Sequence, residues 1–260
     1  MSVLDSFSLK GKTALVTGGA GLYGRQIVRA LAEAGAKTFA ASRDLENLRG
    51  FTDRLAAEGL EAFALRLDQG DEKSVLGLRD QIVRAGGLSI LVNNAVLRPM
   101  KKGFGDEAAA FAESMKVNAT GLFVITRAMG DVMAARGGGS IINIGSIHGL
   151  VGPDPPIYEG TEMHGWYPDY FFHKGGMINF TRFTASYYGA RGVRCNCVSP
   201  GGFRTDKMPE AFVRNYSRRT FLGRLAGDTD LMGVVVFLAS DASSYITGAN
   251  ISVDGGYTAK

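Results

Sequence analysis

Thr13-Ala14-Leu15-Val16-Thr17-Gly18-Gly19-Ala20-Gly21-Leu22-Tyr23-Gly24 decides the fold. Thr13–Thr17 is a short apolar run of the kind that a strand buried on both faces requires. The glycines from Gly18 to Gly24 then let the backbone turn tightly, and Ile27, Val28, Leu31 and Ala34 recur at helical spacing before Gly35 stops the helix. A strand, a glycine-rich turn and a helix in that order form an anion site, because helix N-terminal amides and the helix dipole meet phosphate charge there. A glycine cluster alone would mark only a turn.

Outward from this unit the same alternation continues. Further buried strands are predicted at Lys37–Ser42, Ala62–Leu67, Ile90–Asn93, Ser140–Gly145, Val193–Ser199 and Asn250–Asp254. Helices are predicted at Leu45–Glu58, Glu72–Ala85, Ala108–Ala135, Tyr170–Arg191 and Asp230–Ser240, with a flexible helix pair after Pro200. Such alternation demands right-handed crossovers and a parallel sheet covered on both faces. The fold class is therefore α/β, a Rossmann-like doubly wound sheet of about seven strands, and residues 1–260 form one domain. One stretch breaks the rhythm: residues 147–169 hold Pro153, Pro155, Pro156 and Pro168, four of the chain's seven prolines. A loop this long in a compact domain is usually functional.

Composition narrows the partners. The 260 residues are 45% hydrophobic and 21% charged, with 36 glycines that follow no Gly-X-Y period. The net charge of +4 is scattered rather than striped, which argues against nucleic acid and suits an anionic cofactor. The start Met1-Ser2-Val3-Leu4-Asp5 lacks a secretory pattern, and no apolar run reaches the roughly 18 residues of a membrane helix. Cys195 and Cys197 alternate on one strand, as small buried hydrophobes in a reducing cytoplasm. Neither they nor the three scattered histidines make a metal site.

A second pattern concerns proton transfer. Tyr170 and Lys174 stand four apart at the start of a helix, so they share a face. An ammonium near a phenol favours the phenolate and brings a pKa of about 10 towards neutrality. Ser146 follows the fifth strand, where a hydroxyl can meet a substrate oxygen.

Together these residues resemble the short-chain dehydrogenase/reductase family over essentially the whole chain. Its Thr-Gly-x-x-x-Gly-x-Gly signature is matched at Thr17, Gly18 and Gly24. Leu22 stands where the middle glycine usually is, with Gly21 one place earlier. Asn93-Asn94-Ala95-Val96 is similar to the family's Asn-Asn-Ala-Gly, and Val253-Asp254-Gly255-Gly256 to its C-terminal end. The resemblance implies hydride transfer between a nicotinamide dinucleotide and a secondary alcohol or ketone, with Asn118, Ser146, Tyr170 and Lys174 as the catalytic tetrad. It implies cofactor contacts at Thr17, Gly18, Gly21, Leu22, Tyr23, Gly24, Asn94, Lys174, Pro200, Gly201 and Thr205, with Asp68 near the adenine. It also implies a homodimer or homotetramer built on the Ala108–Ala135 and Tyr170–Arg191 helices.

At the end of the second strand Ser42 and Arg43 replace the acid that would bind a ribose 2′-hydroxyl. A hydroxyl and a guanidinium suit a 2′-phosphate, so NADP(H) is the expected cofactor, although Asp44 lies beside them. Tyr170 lies 24 positions after Ser146, farther than is usual in the family, and the surplus is the segment near 150–168. Tyr158 and Tyr167 are rivals for the proton donor, but Glu162 and Phe171, not lysine, follow them four places on.

That surplus segment mixes Glu159 and Glu162 with Tyr158, Trp166 and Tyr167, a composition that suits sugar hydroxyls and ring faces or a merely structural flap. The resemblance extends to sugar- and gluconate-modifying dehydrogenases. Arg98, His148, Tyr158 and Trp166 are the candidate substrate contacts. Arg98, Lys101 and Lys102 could hold an anion or simply form a solvated loop face. A sugar or sugar-acid dehydrogenase is the leading reading. A 3-oxoacyl thioester reductase and a catalytically silent nucleotide-binding scaffold are the alternatives.

Overall fold

The computed structural model describes residues 2–260. Seven strands form one parallel sheet: β1 (Thr13–Thr17), β2 (Lys37–Ser42), β3 (Ala62–Arg66), β4 (Ile90–Asn93), β5 (Gly139–Ile144), β6 (Val193–Pro200) and β7 (Asn250–Val253). Their order is β3-β2-β1-β4-β5-β6-β7. The chain runs outward from β1 to β3, then crosses back to β4 on the other side of β1. The crevice at that reversal, beyond the carboxyl ends of β1 and β4, is where such sheets bind ligands.

The helices are α1 (Leu22–Glu33), α2 (Leu45–Ala57), α3 (Glu72–Arg84), α4 (Ala108–Met115), α5 (Leu122–Ala135), α6 (Pro168–Gly189), α7 (Glu210–Ser217) and α8 (Met232–Ala239). Each face of the sheet has its own apolar cluster. Val16, Ile27, Leu31, Val92, Ile142, Val198 and Leu238 pack on one side, and Leu15, Leu78, Leu91, Ile125, Met129 and Ile141 on the other. Each fully buried aliphatic side chain of this kind contributes roughly 1.5–3 kcal/mol. Cys195 and Cys197 are both fully buried free thiols on β6.

Strand and helix positions agree with the sequence reading to within a residue or two, except in two places. The helix predicted over Ala108–Ala135 is broken by a π-helical turn, Lys116–Gly121, between α4 and α5. A π turn widens the helix locally and marks functional sites more often than chance. Here Gly121 lies so close to the Gln69 backbone that a Cβ would overlap its carbonyl oxygen. After Pro200 there is one helix, α7, in place of a pair; the chain then makes turns through Gly223. The last helix begins at Met232 because Asp230 is engaged earlier, accepting the Gly227 N–H and pairing with Arg224. Among the described residues, no helix is long and apolar enough to cross a membrane.

Candidate active site

The glycine turn is braced from β4. Thr17 Oγ1 accepts the N–H groups of Asn94 (3.1 Å) and Ala95 (3.0 Å), while Asn94 Nδ2 donates to the carbonyls of Thr17 (3.1 Å) and Gly18 (2.9 Å). Gly18 has φ +65, and a Cβ there would press on the Ala95 backbone; at Gly24 it would overlap the Gly18 carbonyl. Only glycine permits that packing. Gly21 precedes α1 and offers no side-chain cap, so the first-turn amides of α1 are free to meet an anion. The cradle fits a pyrophosphate. Leu22, in place of the middle glycine, opens α1 with its side chain largely exposed along the same cavity.

At the end of β2, Ser42 is half-buried and Arg43 is exposed. The neighbouring Asp44 is turned away as the cap of α2, accepting the Asn47 N–H at 3.1 Å. Asp68, just past β3, accepts the Gly70 N–H at 2.9 Å and remains exposed.

A cavity of about 690 Å³ opens over the carboxyl ends of β1, β4, β5 and β6. Ser146, Tyr170 and Lys174 meet in its wall. Ser146 leaves β5 in extended conformation, and its Oγ accepts the His148 N–H at 3.1 Å. Pro168 starts α6 at a position that needs no N–H donor, which fixes the turn on which Tyr170 and Lys174 lie. Lys174 is buried and donates to the Ile144 carbonyl, and its Nζ lies 5.6 Å from the Tyr170 ring centroid.

Electrostatics match this geometry. Burial alone would push the Tyr170 phenol up. The Lys174 and Arg98 cations, with hydrogen bonding from Ser146 and Arg98, outweigh it and hold the phenol below the ordinary tyrosine value. Burial lowers the Lys174 ammonium, and the Arg98 charge adds to that, against the pull of Tyr170 and Cys197. Burial, then Arg98, brings His148 down to about 4. Burial, then Lys174 and Arg98, brings His173 down to about 3, so both imidazoles are neutral near pH 7.

Asn118 sits in the π turn and is almost fully buried. Its Oδ1 accepts the Leu97 N–H (2.9 Å), and its Nδ2 donates to the Leu97 carbonyl (2.7 Å) and to Ser114 Oγ (3.0 Å). The side chain thus grips the backbone beside Arg98. The Arg98 guanidinium carbon lies 4.3 Å from the Tyr170 ring centroid, and Arg98 joins none of the ion pairs among the described residues.

Of the other candidate substrate contacts, His148 and Tyr158 line the cavity, and the His148 ring stacks on Phe171 at 4.4 Å. Trp166 lies outside it, half-exposed, with its carbonyl against Gly103. Lys101 and Lys102 are solvated, and their backbone amides donate to Asp106. Pro200 and Gly201 line the cavity, and Thr205 lies beyond it. Tyr23 Oη donates to the Gly201 carbonyl at 2.9 Å, tying the glycine turn to the loop after β6. Tyr158, Met163, His164, Gly165 and Tyr167 line the chamber, whereas Glu159 and Glu162 face solvent. A carboxylate buried there without a partner would be costly, and no Asp or Glu among the described residues lines the chamber. Met163, His164, Tyr167, Met208 and Phe212 complete the wall without having been singled out as substrate contacts. The one signal that could have found any of them is the Met208–Phe212 spacing of one helical turn.

Comparison with known proteins agrees with this architecture. The dehydrogenase family model described as Enoyl-(Acyl carrier protein) reductase matches residues 21–258. Galactitol 2-dehydrogenase (L-tagatose-forming) of Cereibacter sphaeroides is 34% identical over 260 residues, covering 97% of this chain and 97% of that protein. The 3-oxoacyl-(acyl-carrier-protein) reductase of Aquifex aeolicus is 31% identical over 253 residues, covering 95% of this chain and 98% of that protein. Among solved structures, a gluconate 5-dehydrogenase from Burkholderia cenocepacia in complex with NADP and tartrate superposes with a TM-score of 0.89 at 30% identity, over 100% of both chains. With a parallel seven-stranded sheet, a braced glycine turn and a Ser-Tyr-Lys cluster at its switch point, this chain belongs to the short-chain dehydrogenase/reductase family, NAD(P)-dependent oxidoreductases acting on CH–OH groups.

Proposed function

We propose that the chain is an NADP(H)-dependent dehydrogenase or reductase that acts at a secondary alcohol or ketone of an anionic, polyhydroxylated small molecule of the sugar-acid kind. One observation carries the anionic part. Among the described residues the Arg98 guanidinium has no carboxylate partner; it is exposed, lies against the Tyr170 ring, and borders a chamber with no described acid in its lining. Beside a neutral polyol that charge would be met by water and Tyr170 alone. A carboxylate would meet a planar fork of donors. The gluconate 5-dehydrogenase neighbour, whose structure holds NADP and tartrate, supports the same reading.

In this reading Ser146 Oγ holds the substrate oxygen and Tyr170 Oη exchanges the proton at it. In reduction the phenol gives that proton to the carbonyl oxygen; in oxidation the phenolate takes it from the alcohol. Nicotinamide, when bound, would supply or accept the hydride at the carbon that carries this oxygen. Lys174 favours the phenolate by charge. Asn118 fixes the Leu97 backbone and so aims Arg98, while His148 and Tyr158 flank the substrate. Thr17 and Asn94 hold the glycine turn in shape, and Gly18, Gly21, Leu22, Tyr23 and Gly24 form the pyrophosphate cradle. Ser42 and Arg43 take the 2′-phosphate, Asp68 borders the adenine, and Pro200 and Gly201 form the nicotinamide side, with Thr205 farther along the same loop.

Residues 1–260 act as one dinucleotide-binding domain in the cytoplasm, with the segment near 150–168 covering the pocket. Phe123, Phe172, Phe183 and Tyr187 leave large rings exposed on α5 and α6, which suits burial against a second copy in a dimer or tetramer.

The test is an assay with NADPH or NADP against aldonic acids and their oxo forms, the matching methyl esters and alditols, and a 3-oxoacyl thioester. Turnover of the acid with loss on esterification supports the proposal; equal turnover of acid and ester overturns the anionic part. Met163, Met208 and Phe212 give the chamber an apolar side, the observation that favours the thioester as second reading.

A further inference from the structure

The segment that covers the chamber is also held from behind, by Asp154, Arg219 and Tyr257, none of which lines the chamber. Asp154 is the anchor. Its carboxylate takes Arg219 in two contacts, Nε at 2.9 Å and Nη2 at 3.1 Å, and accepts Tyr257 Oη at 3.1 Å. Five residues on, the Glu159 carbonyl accepts Asn215 Nδ2 at 3.0 Å. Arg219 and Asn215 belong to α7 and the turn that follows it, and Tyr257 to the C-terminal tail.

Between these polar contacts lies a small apolar cluster separate from the two that flank the sheet. Ile157 from the covering segment packs with Phe212, Val213 and Tyr216 of α7, with Tyr257, and with Ile147, the residue next to Ser146. Tyr216 is its pivot. The ring stacks on Tyr257 at 5.0 Å between centroids, and its Oη accepts the Gly202 N–H at 2.6 Å. Gly201, one residue earlier, is held from the other side by Tyr23. The loop after β6 therefore has two phenolic tethers, one to the glycine turn and one to the cluster that carries the covering segment.

We propose that Asp154 is a positioning residue: with Arg219 and Tyr257 it clasps the 153–167 segment to α7, so that cofactor seated against Gly201 and Gly202 draws the substrate side of the chamber closed through Tyr216. The proposal rests on the cofactor reading above and adds a physical connection between the two half-sites. The clasp suits this task because it is light. Asp154 and Arg219 are partly solvated, and such a pair stabilises a fold little, so its state can follow events at the loop without endangering the core. Two sites coupled through one two-state element bias each other reciprocally.

Hydrogen exchange of the full-length protein with and without NADPH tests this, in wild type, Asp154→Asn and Tyr216→Phe. NADPH is expected to slow exchange across 153–167 about threefold or more in wild type. Both variants should lose that slowing while still binding NADPH, as read by its fluorescence. Tyr216→Phe removes one oxygen and keeps the ring in its cluster, so it carries the test if Asp154→Asn unfolds. Slowing that persists in both folded variants, or in Tyr216→Phe alone if only it folds, overturns the clasp. So does wild-type slowing confined to the loop after β6. Failure of wild type to bind NADPH sinks the cofactor reading and the clasp together, whereas binding without slowing at 153–167 sinks the clasp alone.

Discussion

The Arg98 guanidinium carbon and the Tyr170 ring centroid lie 4.3 Å apart, close enough for the cation to sit on the ring's electron-rich face. Two elements distant in sequence make this contact. The loop after β4 carries Arg98 and is gripped by Asn118, and the first turn of α6 carries Tyr170. A cation there lowers the phenol and leaves donors free for a substrate anion. Replacing Arg98 with Met should therefore raise KM for an acidic substrate about 10- to 100-fold, the worth of a charge-assisted hydrogen bond. It should also move the acid limb of the oxidation pH profile to higher pH, because Tyr170 loses one of the groups that lower it. An unmoved limb would remove Arg98 from the proton-transfer argument.

Tyr170→Phe should reduce turnover at least about 100- to 10,000-fold, the usual contribution of a positioned acid or base, and leave NADPH binding intact. Stopped-flow absorbance at 340 nm and a fluorescence titration separate the two effects. Survival of turnover would reassign the proton donor, with Tyr158 and Tyr167 next in the same chamber.

Arg43→Asp should shift cofactor preference from NADP towards NAD. Loss of a charge-assisted fork to the 2′-phosphate predicts a change of about 10- to 100-fold in the ratio of kcat/KM values. Asp44 is occupied as the cap of α2, so it does not already play the acid's part. An unchanged ratio would place the 2′-phosphate elsewhere.

His148 and His173 should make the fold sensitive to acid. Both are neutral in the folded chain, at about 4 and about 3, and both return to about 6.5 when it unfolds. Below pH 6.5 the unfolded state therefore binds protons that the folded state refuses. Stability falls as pH drops from 6.5 towards 4, at about 1.4 kcal/mol per unit for each histidine across that window. Urea melts at pH 7.5, 6 and 5 should show the decline, and His173→Gln should flatten it. A curve of unchanged slope in that variant would assign the sensitivity to other groups.

Much of this was legible in the amino-acid order, and the reasons are local. Val16, Val92, Ile142 and Val198 lie on strands buried on both sides, which read as continuous apolar runs. The glycine turn is legible because no other residue fits at Gly18 or Gly24. Tyr170 and Lys174 are legible because one helical turn has a fixed length. The break at Lys116–Gly121 was not, since Val117-Asn118-Ala119 keeps an ordinary helical spacing and the π turn is set by packing against Gln69. Nor was the facing of the 150–168 segment. Irregular backbone has no period, so nothing in the order of Glu159, Glu162, His164 and Tyr167 says that the acids turn outward and that His164 and Tyr167 line the chamber.

Cys195 and Cys197 end up sealed inside β6 with no exposure at all, and burial pushes both thiols up, away from the reactive anion. The native protein therefore offers maleimides no accessible thiol. A cysteine engineered into the covering segment, at Glu162 for instance, would be its sole exposed thiol. A single-site fluorophore or spin label could then report opening and closing directly, without first replacing the native cysteines.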